Sequence, residues 1–125
     1  MDYMTFLELV VRDGIEAAER DYVERPDKRK GAVDGFRACL GKSPAELAEI
    51  LSAARNATQE AFTHKAENYW EIRCFELEVE WTCNVVSSAL HNQGQPIIIK
   101  PTARGYMKAA QILGVSGPLQ GEVVR

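Results

Sequence analysis

Residues 45–93, AELAEILSAARNATQEAFTHKAENYWEIRCFELEVEWTCNVVSSALHNQ, contain neither glycine nor proline, and they make up more than a third of the 125-residue chain. The two commonest punctuators of turns are absent over that whole length, so long helices are the natural reading. The stretch opens with Ser43-Pro44-Ala45-Glu46. Ser43 suits an N-cap, Pro44 the first helical position, and Glu46 closes a capping box three residues on. It closes at Asn92-Gln93-Gly94, where Gly94 can adopt the left-handed conformation that stops a helix.

Within the stretch, Leu47, Ile50, Leu51, Ala54, Ala61 and Phe62 mark one face of a helix, and Ile72, Phe75, Val79, Cys83, Val86 and Leu90 continue it nearly in phase. A single helix would be roughly 73 Å long, against a radius of gyration of about 14 Å for a compact domain of this size. The spacing therefore predicts a break at Thr63–Asn68, where polar residues interrupt the apolar face. From Phe75 to Val85 apolar and polar residues also alternate strictly, which admits an α+β alternative with a strand at 75–86. Helix is preferred because Glu76, Glu78 and Glu80 disfavour a strand and only Ile97–Ile99 offers a nearby pairing partner.

Read as a helix, 69–91 is apolar on two sides. Trp70, Cys74, Leu77, Trp81 and Val85 form a second stripe opposite the first. A helix of that kind is sandwiched between layers, or meets another molecule with its second side.

Outward from this centre, Phe6, Leu7, Val10, Val11, Ile15, Ala18 and Tyr22 predict an amphipathic first helix over Thr5–Tyr22. A second follows Pro26 through Ala32, Val33, Phe36, Ala38 and Leu40, with Gly31 and Gly35 lowering its propensity. After Gly94, the run Ile97–Ile99 between Pro96 and Pro101 reads as a short extended segment laid across the helices. Thr102 caps a last helix, Ala103–Leu113, with Met107, Ala110 and Leu113 facing inward and Gly114 as its stop. The tail 115–125 reads as irregular. The expectation is one all-α domain over 1–125, with about five helices and a long central one.

The apolar fraction of 46% and charged fraction of 26% are those of a soluble globular chain. No apolar run approaches the ~18 residues of a membrane span. With no basic stretch and apolar region at its start, the chain reads as cytoplasmic, with no membrane partner. Cys39, Cys74 and Cys83 have no Cys-x-x-Cys spacing and read as reduced, buried thiols. The net charge of −3 is uneven. Acidic residues dominate up to His91, whereas Lys100, Arg104, Lys108 and Arg125 afterwards face only Glu122. Such a split can guide head-to-tail docking or contact with an anionic partner.

Candidate chemistry is sparse. Gly41-Lys42-Ser43 matches the end of a phosphate-binding loop, but Phe36 stands where that loop needs a glycine. His64, Glu67 and Glu71 could share a helix side, yet no second set completes a dinuclear centre. Ser87, Ser88 and His91 lack an orienting acid and oxyanion donors. No cofactor, metal or catalytic residue is assigned. Ala109–Ser116 resembles the first helix and turn of a helix-turn-helix unit, over eight residues only. That resemblance implies a degenerate DNA-binding unit with Lys100, Arg104, Lys108 and Arg125 as nucleic-acid contacts. The expectation ranked first is a non-enzymatic helical interaction or oligomerisation module: a homodimer, or a chain with a protein partner, using Trp70, Cys74, Leu77, Trp81 and Val85. A ligand-binding domain or enzyme with an interhelical pocket carrying Arg73, Glu76, Glu80 or His91 is a further alternative.

Overall fold

A computed structural model describes residues 1–121 and 123, and these are all-helical, with no strand among them. The helices are α1 (Tyr3–Asp21), α2 (Pro26–Cys39), α3 (Pro44–Thr63), α4 (Tyr69–Asn92) and α5 (Ala103–Ser116). The strand alternative at 75–86 is thereby overturned: those residues lie inside α4, whose two apolar sides each find a neighbour. α4 packs against all four other helices, α1 also packs on α2, and α2 and α3 touch one another only marginally.

The long uninterrupted stretch does break where its polar residues fall, although no glycine is there. Lys65 takes the left-handed conformation, φ 51°, and the Ala66 N–H donates to the Ala61 carbonyl at 2.9 Å. This closes a Schellman-type end on α3, with a lysine in the seat that glycine usually fills. At the far end of α4 the same motif uses Gly94, φ 67°, with the Gln95 N–H donating to Leu90 O at 3.0 Å. The Ser43 capping box forms as expected, with Glu46 N to Ser43 Oγ at 3.2 Å and Ser43 N to Glu46 Oε1 at 2.9 Å.

Gly31 and Gly35 are not merely weak helix formers. A methyl group at Gly31 would strike the Glu71 carbonyl, and one at Gly35 would lie 2.6 Å from the Phe75 carbonyl oxygen. Two bare turns of α2 therefore press directly onto the backbone of α4. The core fills around this contact with Phe6, Leu7, Val10, Phe36, Leu47, Val79, Val85, Val86 and Leu90, each no more than 2% exposed.

α5 differs from its expected register. Gly105, Ala109 and Ile112 are buried, while Met107 is 72% exposed, Ala110 is exposed and Leu113 is only half-buried. Gly105 decides this, because it lets α5 settle on Asn84 Oδ1, an approach that a Cβ would block. The helix also runs through Gly114 and ends at Gly117, φ 91°. Phe62, placed on the inward face of α3 by its spacing, is 72% exposed and lies instead beside Tyr69, ring centroids 6.1 Å apart and planes tilted by 60°.

The connection 95–101 is pinned by side chains of α4. Ser87 Oγ accepts the N–H groups of Ile98 and Ile99 at 3.1 and 3.2 Å, and Asn84 exchanges hydrogen bonds with Thr102 at 2.9 and 3.0 Å. Ile97–Ile99 is a bend rather than a strand, with Ile98 and Ile99 half-buried and Ile97 exposed. The first two tail residues, Val115 and Ser116, belong to α5. Residues 117–121 carry no regular structure and are held by bonds from Gln120 N to Met1 O and from Gln93 Nε2 to Leu119 O.

Candidate functional site

α2 and α3 both lie on α4 without closing on each other, and the seam between them is open. It forms an apolar groove of about 680 Å³. Ile72 and Phe75 of α4 make its floor, Ala38 and Gly31 one wall, and Ile50, Ala53, Ala54 and Ala57 the other. The local cause lies in residue size. Gly31 and Gly35 draw α2 tightly onto α4, and the alanines of α3, at i+3, i+4 and i+7 from Ile50, leave no bulk to bridge back. Ile72 and Phe75 are consequently only half-buried, although their spacing assigns them to the core.

The polar groups around the groove are largely spent on one another. Lys30 Nζ sits 2.9 Å from Asp34 Oδ2 and 2.8 Å from Glu71 Oε1, and these two carboxylates hold its ammonium above the ordinary lysine range. Lys42 and Asn68 complete the rim. Outside it, α3 carries Glu46, Glu49 and Glu60 against the single cation Arg55. What the groove presents is therefore apolar surface with an acidic outer flank.

The residues expected as an interface are divided by the structure. Cys74 and Val85 are in the core at 2% and 0% exposure, Leu77 and Trp81 are half-buried, and Trp70 alone stands out, 47% exposed, with Lys28 Nζ 4.5 Å from its ring centroid. Among the residues considered for nucleic acid, Lys100 and Arg104 are exposed, Lys108 is engaged by Asp13 at 3.0 Å, and Arg125 lies outside the described residues. Residues 117–121 supply no helix after α5, and Ser116 is the last residue of α5 rather than a cap for another.

Of the polar groups expected at an interhelical pocket, Arg73 and Glu76 meet one another, while Glu80 and His91 are engaged elsewhere. Arg73 pairs with Glu76 at 3.0 Å, Glu80 faces Arg55 at 3.8 Å, and His91 Nδ1 meets the Tyr106 hydroxyl at 2.7 Å. None of the four lines the groove. Ser87 is taken up by the Ile98 and Ile99 amides, and the Ser88 hydroxyl donates to Asn84 O at 2.9 Å. His64 falls in the turn after α3 and Glu71 is held by Lys30, so the two do not share a helix side. Cys39 and Cys83 are buried, and burial pushes their thiols up to about 11 and about 12.

The spacing of apolar residues reaches Ile50, Ala54, Ile72 and Phe75 but not the openness of the seam they line. The signal that carries it is smallness: Gly31-x-x-x-Gly35 on α2 and Ala53 with Ala57 on α3. Among the described residues no helix is long and apolar enough to cross a membrane. No protein-family model matches this chain, and neither a curated protein nor a solved structure does.

Proposed function

We propose that this chain is a non-enzymatic helical interaction module whose docking site is the groove between α2 and α3. One observation carries the reading: an apolar trough walled by alanine and glycine, left open because its two wall helices touch only marginally. Helix-in-groove recognition needs such a surface, because small walls let a visiting helix approach closely and an apolar floor takes its side chains. Asp34 and Glu71 on the rim both engage the Lys30 ammonium, and carboxylates held by a cation are poor general bases, which favours binding over chemistry.

The test is site-specific photocrosslinking in cells. A benzophenone side chain at Ala57, exposed on the groove wall, should yield polypeptide adducts. The same group at Arg12, exposed on α1 and no part of the groove, should not. Equal adduct yields at the two positions, or none at Ala57, contradict the proposal.

A further inference from the structure

α5 leaves an apolar stripe without a partner. Ala103, Met107, Ala110 and Gly114 stand at i, i+4, i+7 and i+11, which is one line along a helix. All four are exposed, Met107 by 72%, and beyond Gly114 there is open space. Val115 beside it is 86% exposed. A line of small residues around one methionine is the shape that a narrow, alanine-walled trough accepts, with the flexible thioether side chain as the adaptable anchor.

Charge matches as well. Between Asn92 and Ser116 the chain has Lys100, Arg104 and Lys108 and no acidic residue. Lys108 is held by Asp13, which leaves Arg104, next to Ala103 on α5, and Lys100, in the connection just before α5, exposed. The groove's outer flank on α3 bears Glu46, Glu49 and Glu60. The chain cannot fill its own groove. α5 is fixed to α4 at Asn84, twelve residues from the floor residue Ile72, or about 18 Å along the helix.

We infer that the groove's occupant is α5 of a second copy of this chain. The inference rests on the docking role proposed for the groove. The contact is heterologous: the stripe Ala103–Met107–Ala110–Gly114 of one copy enters the α2–α3 groove of the next, with Arg104 and Lys100 towards the partner's α3 glutamates. Contacts of this type close into a ring or run on as a chain.

The test is light scattering behind size-exclusion chromatography over a concentration series, on the full chain. The native protein should exceed its monomer mass of 13.9 kDa increasingly as concentration rises. Met107→Glu and Ala57→Glu alter exposed residues on the two halves of the contact, and each alone should weaken self-association at least tenfold while leaving the circular dichroism melt in place. Mixing the two variants should restore complexes, because one retains an intact groove and the other an intact α5 stripe. If either variant does not fold, Ala53→Glu and Ala110→Glu replace it on the same halves.

A native protein that stays monomeric throughout, variants that associate as the native chain does, or a mixture that fails to recover would each overturn the inference. Failure here is separable from failure of the docking role. Adducts at Ala57 to a different polypeptide, with a monomeric native protein, leave the groove a docking site for another partner. No adducts at all remove both.

Discussion

Two glycines of this chain answer opposite questions. At Gly35 an added methyl meets the Phe75 carbonyl oxygen at 2.6 Å, a backbone atom that cannot swing away, whereas at Gly114, inside α5, it meets nothing. Gly35→Ala should therefore destabilise by about 2 kcal/mol or more despite its gain in helix propensity. Gly114→Ala should stabilise by up to about 1 kcal/mol. Urea denaturation measures both, and the same sign for the two would show that propensity, not approach distance, governs them. Lys65, at φ 51°, holds a conformation that costs an L-residue energy and glycine little. Lys65→Gly is expected to stabilise by about 0.5–1 kcal/mol, and a lower midpoint would contradict the Schellman assignment. At the thiols, burial of Cys39, Cys74 and Cys83 predicts negligible labelling by a thiol reagent in the native protein and three equivalents after unfolding.

Glu78 joins two elements, α1 and α4. Burial pushes its carboxyl from 4.5 up to about 7, and the Asp21 carboxylate at the end of α1 adds to the effect. The folded state thus holds this proton more tightly than the unfolded chain. Its contribution is fully present below about pH 4.5 and is lost as pH climbs through about 7, a loss of at most about 3 kcal/mol. Glu78→Gln should raise the melting temperature at pH 8 and change it little at pH 4.5; parallel profiles for the two proteins would rule this out.

The elements themselves were largely legible in the sequence. Caps at Ser43 and Thr102, the stop at Gly94 and the polar break at Thr63–Asn68 stand where the structure has them. What escaped was packing distance. Periodicity reports which residues are apolar, not how close two backbones come, so Gly31 and Gly35 read as weaknesses when they are contact points, and the seam lined by Ile50, Ile72 and Phe75 read as closed core. The register of α5 was missed for the same reason. Gly105 carries no hydrophobicity, yet its bareness against Asn84 turns Met107 and Ala110 outward.

For the whole molecule, one helix is wrapped by four, and the apolar surfaces exposed among the described residues include the trough between α2 and α3 and the outer line of α5. Their charges oppose, which agrees with the uneven distribution along the chain, acidic up to His91 and basic between Asn92 and Ser116. The most direct measurement of α5 docking into the groove of a second copy is the methyl spectrum of alanine-labelled protein over a wide dilution series. Ala38, Ala53 and Ala57 on the groove, and Ala103 and Ala110 on α5, should shift together with concentration, while the buried Ala32 and Ala89 stay fixed. Shifts that fall elsewhere, or none at any of the five, would contradict the account.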